Sequence, residues 1–166
     1  MSTATLHTNH GAIEIELYPD DAPKTVDNFT KLAGDVRYVV AEAASRKGLQ
    51  LTLLVDGDVP RWVVLDGRHL RQVLLNLLGN AVKFTAAGHV RLLISRAEDA
   101  RLLFEVTDTG PGIEPEALTE IFAAFSQTKT GAAAGGTGLG LTISHHLIGT
   151  MGGELKVDST LGQGSR

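Results

Sequence analysis

The sequence predicts a two-layer α/β (α+β) sandwich, in which helices pack on one face of a mixed, mostly antiparallel sheet. Two observations support this fold class. Apolar residues recur at helical spacing in several separate segments, and short runs rich in Val, Leu and Ile lie between them. Helices therefore alternate with strands along the chain, which is typical of layered α/β domains. An added β-hairpin and helix are predicted before this sandwich, at the N-terminus.

Composition narrows the classes of function. The chain has 166 residues, of which 43% are hydrophobic and 20% charged, as in a globular domain with a core. The net charge of −4 argues against a broad nucleic-acid surface. No apolar run reaches the ~18 residues of a membrane span, so we expect a cytoplasmic protein with no membrane partner. Because cysteine is absent, disulfides and Cys-based zinc sites are excluded.

The first part of the chain predicts a hairpin followed by a short helix. Two alternating runs, Thr5–Thr8 and Ala12–Leu17, flank a turn at residues 9–11. Pro23 then opens a short helical pattern.

A second set of elements begins at Asp35, which is a good N-cap for an amphipathic helix over Val36–Lys47. The later elements are predicted in the following order: strands at Leu49–Val55 and Arg61–Leu65, a helix capped by Asp66 from Gly67 to about Phe84, a hairpin of strands His89–Ala97 and Arg101–Thr107, helices at Pro115–Phe122 and Leu139–Met151, and a strand at Glu154–Ser159. Thr128–Gly136 lacks periodicity and is predicted to be a loop.

Polar residues on the long helix form their own stripe. Asn76, Asn80 and Lys83 lie at i, i+4 and i+7, apart from the apolar positions. An asparagine amide offers a donor and an acceptor, its oxygen is an acceptable Mg²⁺ ligand, and lysine suits phosphate. The helix alone fits either a solvated polar face or a ligand-binding face.

Two glycine-rich segments follow. "DTGPGI", Asp108–Ile113, directly follows a strand, and its carboxylate could accept a hydrogen bond from an exocyclic amine beside closely approaching backbone. "GGTGLGL", Gly135–Leu141, enters a helix whose first N–H groups could bind an anion. Taken singly, the first also fits an Asp-capped turn and the second a flexible linker.

In this order, the segments resemble the ATP-binding catalytic domain of sensor histidine kinases, within the gyrase B, Hsp90, histidine kinase and MutL superfamily. "LRQVLLNLLGNAVKFT" is similar to the N box, "DTGPGI" to the G1 box, "IFAAFSQ" to the F box and "GGTGLGLTIS" to the G2 box. The resemblance covers residues 35–166. It implies the histidine kinase ATPase fold, and a transferase of two-component systems that binds ATP or ADP with Mg²⁺.

The resemblance also implies roles for single residues. Asn80 would ligate Mg²⁺, Asn76 would lie beside the metal and phosphates, and Lys83 would contact the phosphates. Asp108 would accept a hydrogen bond from the adenine amino group. The rest of the expected ATP-binding set comes from the G1, F and G2 boxes, namely Gly110, Gly112, Phe122, Phe125, Gly136, Thr137, Gly138, Leu139 and Gly140. No catalytic residue is assigned, because Asn76 cannot act as a general base, and we expect slow hydrolysis.

Three departures from the family pattern bear on activity. The sequence has no H box with a phosphoacceptor histidine, so transfer would require a histidine of a phosphotransfer or dimerisation domain in trans. His145 and His146 are interpreted as structural or surface residues. The lid Thr128–Gly136 is short and lacks an arginine, and the sequence ends at Arg166, where the family usually continues into a closing strand.

Residues 1–33 resemble something else, the start of a cyclophilin-type peptidyl-prolyl isomerase, in "TLHTNHGAIEIELYPDDAPKTVDNFTKLA". No segment matches that family's catalytic arginine or proline pocket, so isomerase activity is not expected. The two resemblances meet at Gly34 and predict a chimera, natural or engineered, of units 1–34 and 35–166. The hairpin is expected to extend the sheet edge, or to pair two copies into a homodimer. The alternative to nucleotide binding is a fold chimera with a silent site.

Overall fold

A computed structural model of the chain describes residues 2–8, 11–17, 26–27, 29–60, 63–97, 101–118, 120–123 and 138–162. The strands within these ranges are β1 (Ser2–Thr8), β2 (Gly11–Leu17), β3 (Val26–Asp27), β4 (Gln50–Val55), β5 (Val63–Val64), β6 (His89–Arg96) and β7 (Leu102–Asp108). The helices are α1 (Phe29–Arg46), α2 (Gly67–Phe84), α3 (Pro115–Leu118) and α4 (Gly140–Thr150).

The central sheet is mixed and carries the helices, as the sequence predicts. Its strand order is β4-β6-β7, with β4 parallel to β6 and β6 antiparallel to β7. Parallel neighbours require a crossover connection, and α2 supplies it between β4 and β6. Helix α2 packs on β6 and β7, with α1 and α4 beside it. The predicted α/β class is therefore confirmed.

Helix α2 provides most of the core from its apolar stripe. The stripe positions are all buried and comprise Leu70, Val73, Leu74, Leu77, Leu78, Ala81 and Val82. They join one cluster with the inward-facing residues of β6 and β7, among them Leu92, Ile94 and Phe104. Asp66 caps the helix as predicted, since its side chain accepts hydrogen bonds from the backbone N–H groups of Arg68 and His69.

Helix α1 corrects the prediction of a helix start at Asp35. One continuous helix runs from Phe29 to Arg46, so Asp35 lies inside the helix and Val26–Asp27 is a short strand. The reason is a shared periodicity: Leu32, Val36, Val40 and Ala44 are spaced by four residues, and all are buried in the same core. The segment before Gly34 therefore contributes to the core of the segment after it.

The predicted strand at Glu154–Ser159 is also corrected. Burial alternates along this segment, with Leu155 buried in the core, but no ladder joins it to another strand in the described part of the chain. A strand requires a hydrogen-bonded neighbour, and alternation alone supplies none. Likewise, the helix predicted to reach Phe122 ends at Leu118 as the four-residue α3, and residues 120–122 form a turn.

The N-terminal hairpin forms as predicted, with Ser2 opposite Leu17 and Thr8 opposite Gly11. Both of its strands lie beside β7. In the described ranges, however, β1 and β2 pair only with each other. The expected extension of the β4-β6-β7 sheet by the hairpin is therefore not seen there. None of the described helices combines the length and the apolar composition of a membrane span.

Candidate functional site

The polar stripe of α2 faces the beginning of α4. The side-chain amide of Asn76 donates to the backbone oxygen of Gly140 and to the hydroxyl of Ser144, each at 3.3 Å. Its own oxygen accepts a hydrogen bond from Gln72, also at 3.3 Å. The stripe is thus half-buried at an interface between two helices, rather than a fully solvated face. The sequence did not indicate Ser144, because its role depends on the packing of α4 against α2.

Asn80 lies one turn further along the same stripe. A Cβ atom added at Gly140 would lie 3.9 Å from the Asn80 amide nitrogen, which is an ordinary van der Waals distance, so the start of α4 packs directly beside Asn80. Asn80 is half-buried and, among the described residues, makes no side-chain hydrogen bond. Its hard amide oxygen is therefore available to a cation, which fits a Mg²⁺ ion that takes most of its ligands from phosphates and water. The described residues contain no cluster of three or more His, Asp or Glu side chains that could hold a metal by themselves.

The third stripe residue, Lys83, lies in the last turn of α2 and is half-buried. Its ammonium group lies 5.3 Å from the centroid of the Phe84 ring, where the face of the ring attracts a cation. The structure therefore brings Asn76, Asn80 and Lys83 onto one side of α2, in agreement with the spacing in the sequence.

Asp108 ends β7 as a fully buried carboxylate next to the end of α2. It accepts hydrogen bonds from the backbone N–H of Gly110 at 2.8 Å and from the hydroxyl of Thr85 at 3.3 Å. Thr85 is itself fully buried and follows the last residue of α2. Sequence reasoning missed Thr85. Its position immediately after the polar stripe was the available signal, but only the fold shows that it meets Asp108.

The glycines after Asp108 are required by close packing. Gly110 leaves space where a Cβ would lie 2.8 Å from the Asp108 carboxylate. Gly112 has φ of 74°, and a Cβ there would collide with the backbone of Thr160 and approach the Cα of Leu161 to 3.0 Å. Two hydrogen bonds hold these segments together, from the N–H of Ile113 to Ser159 and from Gly162 to Pro111, both 2.9 Å. The chain after α4 therefore supports the glycine-rich loop.

Within the described residues, no side chain caps the start of α4. Leu139 is its N-cap and makes no side-chain capping bond, and Gly138 just before it has φ of 70°. Uncapped N–H groups at a helix N-terminus favour an anion. Phe122, half-buried on the core, lies with its ring centroid 5.0 Å from that of His145 on α4. Phe125, Gly136 and Thr137 lie outside the described residues.

Together, the fold and the site define a class: an α/β sandwich in which a polar helix stripe, a buried aspartate and a helix N-terminus meet. Comparison with known families identifies the class further. Residues 65–166, more than half of the chain, match the histidine kinase-, DNA gyrase B-, and HSP90-like ATPase family. The chain belongs to this ATPase family.

Individual relatives agree with the family match. The aerobic respiration control sensor protein ArcB of Escherichia coli K12 is 42% identical over 141 residues, which cover 83% of this chain and 18% of ArcB. Hybrid signal transduction histidine kinase B of Dictyostelium discoideum is 38% identical over 161 residues, 93% of this chain and 8% of the relative. The chain thus spans less than a fifth of the length of either relative.

Solved structures show the same fold. Full-length ShkA in complex with AMPPNP superposes with a TM-score of 0.78 at 38% identity, over 89% of this chain and 30% of ShkA. The nucleotide-free catalytic domain of histidine kinase ThkA gives a TM-score of 0.65 at 28% identity, over 75% of this chain and 79% of that domain. The histidine kinase resemblance of the sequence is therefore confirmed.

The N-terminal resemblance is confirmed as a fragment. Residues 3–42 match the cyclophilin type peptidyl-prolyl cis-trans isomerase family. This match ends inside α1, and α1 continues without interruption to Arg46. The similarity to cyclophilins therefore ends within a helix and not at a structural boundary.

Proposed function

We propose that this chain binds ATP and ADP in a Mg²⁺-dependent manner, and that it transfers the γ-phosphoryl group to a histidine supplied in trans. The binding surface is formed by the polar side of α2, the loop after β7 and the beginning of α4. The ATPase family to which the chain belongs supports the nucleotide, and so does the AMPPNP complex of the structurally similar ShkA.

One observation carries this proposal. Three segments that lie far apart in the sequence meet along α2: Asn76 contacts the start of α4, and Thr85 contacts Asp108. Thr85 lies nine positions after Asn76, which corresponds to about 14 Å along a helix axis. An extended nucleoside triphosphate has a comparable length. The base would therefore lie at the Asp108 end and the phosphates at the Asn76 end.

Each end offers the chemistry that its part of the nucleotide requires. At the base end, the buried Asp108 carboxylate accepts hydrogen bonds and suits the exocyclic amine of adenine. At the phosphate end, the uncapped start of α4 provides N–H donors. Lys83 lies in the last turn of α2, nearer the base end, and would extend its positive charge toward the phosphates. Asn80 would supply an amide oxygen to Mg²⁺. When bound, the ion would neutralise phosphate charge.

Two residues support the part of the proposal that concerns transfer in trans. Asn76 has a neutral amide that is hydrogen-bonded to α4, so it cannot remove a proton from water. His145 is exposed and contacts the Phe122 ring, which agrees with its interpretation as a structural or surface residue. A histidine on another domain would then be the acceptor.

Calorimetric titration with ADP and AMPPNP, with and without Mg²⁺, tests the proposal. We expect binding that weakens when Mg²⁺ is removed, and we expect Asn80→Ala to lose most of that difference. Asp108→Asn should weaken ADP roughly 10- to 100-fold, because a hydrogen bond to a charged group contributes ~1.5–3 kcal/mol. Asp58→Asn, which removes an exposed carboxylate in the turn after β4, is the matched control and should bind as the parent does.

The titrations also distinguish nucleotide binding from the alternative, a fold chimera whose nucleotide site is silent. A cooperatively folded sample that binds neither ADP nor AMPPNP would reject nucleotide binding and support the chimera. Equal affinity for GTP and ATP would reject the role of Asp108 while leaving phosphate binding intact. If binding is found, the next assay is phosphoryl transfer to a separate histidine-bearing phosphotransfer domain.

A further inference from the structure

A side chain from outside α2 holds the end of that helix. Lys47 lies in the turn between α1 and β4. Its ammonium group donates to three backbone oxygens, those of Val82 at 2.8 Å, Lys83 at 2.6 Å and Thr85 at 3.2 Å. An ammonium group has three donors, so the three carbonyls can use all of them.

The geometry of the helix end explains why these acceptors are available. Thr85 leaves α2 in an extended conformation, with φ of −80° and ψ of 121°, so no left-handed residue closes the helix. The N–H of Thr85 donates to the backbone oxygen of Ala81. The carbonyls of Val82 and Lys83 come next, and α2 ends before another helical turn could supply N–H donors to them. Lys47 satisfies these carbonyls, and its positive charge complements the negative end of the helix dipole.

The same contacts connect Lys47 to two residues of the proposed nucleotide site. Thr85, held through its backbone oxygen, donates its hydroxyl to Asp108 at 3.3 Å. Lys83, held through its backbone oxygen, carries the positive charge that is proposed to contact the phosphates. We propose that Lys47 is a positioning residue for nucleotide binding, which keeps Thr85 against Asp108 and fixes the turn that carries Lys83. This inference rests on the function proposed above.

The test compares two adjacent positive charges. Lys47→Met removes the donors and the charge but keeps the length of the side chain. Arg46→Met is the matched control, because the Arg46 side chain is 72% exposed and, among the described residues, pairs only with Glu42, at 3.6 Å, one turn earlier. We expect Lys47→Met to weaken ADP about two- to fivefold, the range for a cation at a helix C-terminus. Arg46→Met should leave ADP binding unchanged, and Lys47→Arg should restore part of the affinity.

The preference for ADP over GDP distinguishes a positioning role of Lys47 from a general contribution to stability. If Lys47 acts through Thr85 and Asp108, its loss should lower the preference for ADP over GDP. A purely structural role would lower the melting temperature of Lys47→Met and leave that preference unchanged. In the Thr85→Val background, Lys47→Met should have a smaller effect on selectivity than in the parent, since residues that act in one chain of contacts are not additive.

A measurement without nucleotide distinguishes failure of this inference from failure of the proposed function. Two backbone amides report the arrangement by NMR: Gly110, which donates to Asp108, and Thr85, which bonds to Ala81. We expect Lys47→Met to shift the Gly110 resonance and to speed hydrogen exchange at Thr85, with Arg46→Met leaving both unchanged. If the parent binds no ADP, the proposed function fails, and these amides then decide only whether Lys47 holds Thr85 against Asp108. Unchanged amide signals in Lys47→Met would overturn the inference. If the parent binds ADP, the inference would also be overturned by a preference for ADP over GDP that is the same in Lys47→Met as in the parent.

Discussion

The substitution Gly34→Ala tests the continuity of α1 across the junction between the two sequence resemblances. Gly34 lies inside the helix, is exposed, and has open space where a Cβ would be added. In a helix interior, glycine is less favourable than alanine by about 0.5–1 kcal/mol, because it loses more backbone freedom on folding. The methyl group meets no neighbour within the described part of the chain, so this gain is not offset by a clash there.

The expected size can be expressed as a melting temperature. For domains of this length, 1 kcal/mol shifts the melting temperature by about 2–4 °C, so Gly34→Ala should raise it by about 1–4 °C. Asp35→Ala is the companion variant. If the helix started at Asp35, removing its N-cap would cost about 1 kcal/mol. Inside a continuous helix there is no cap to lose, and the change should be neutral or stabilising by up to about 0.7 kcal/mol, because alanine is the better helix former.

Thermal and urea unfolding followed by circular dichroism would measure both variants against the parent. An increase for Gly34→Ala together with a small change for Asp35→Ala would support one helix from Phe29 to Arg46. The reasoning would be refuted by a neutral or destabilising Gly34→Ala combined with a loss of about 1 kcal/mol for Asp35→Ala. That pattern would mean that the helix begins at Asp35 and that the preceding segment folds separately.

Three further predictions concern the site and its supports. Gly112→Ala should destabilise the fold by about 2–4 kcal/mol, because alanine would have to adopt a left-handed backbone angle and would collide with Thr160. Urea titration should show a lower unfolding midpoint, and an unchanged midpoint would contradict the packing of this loop. Burial raises the pKa of Asp66, but the N–H groups of His69 and Arg68 and their positive charges lower it more, so its pKa lies below the ordinary 3.8. The ionised Asp66 therefore stabilises the fold above pH 3.8, and this stabilisation is lost as the pH falls through the lowered pKa. Asp66→Asn keeps the capping hydrogen bonds but not the charge, so the loss in its free energy of unfolding relative to the parent should become smaller in acid. Asp66→Ala should lose about 1 kcal/mol at neutral pH. A loss in Asp66→Asn that does not change with pH would count against the ionised cap. Lys83→Met should weaken ADP and AMPPNP but not adenosine in calorimetry, because only the phosphates meet the ammonium group, and equal losses for all three ligands would exclude that role.

The parts of the fold that the sequence predicted well depend on local chemistry. The apolar stripe of α2 and its cap at Asp66 follow from a helical period and from a side chain that bonds the first free N–H groups. The hairpin of β6 and β7 follows from two β-rich runs joined by a short turn. Asn76, Asn80 and Lys83 share a side of α2 for the same reason, since spacing within one helix determines which residues are neighbours.

Other features depend on partners far along the chain. Glu154–Ser159 has the alternation of a strand, yet strand formation requires a ladder that the described structure does not provide. Helix α1 extends through Gly34 because Leu32 packs in the core with residues of the following segment. Local propensity suggested a cap at Asp35, and burial of the preceding turn outweighs it.

By itself, the sequence determined which residue types are available for nucleotide chemistry and where they lie on each helix, because these depend on composition and local periodicity. Only the tertiary structure decided which groups meet. Lys47 reaches carbonyls 35 to 38 residues away, Thr85 meets Asp108 across 23 residues, and Asn76 meets Ser144 across 68. Contacts at such separations depend on how helices and strands pack, and a short sequence motif does not contain that information.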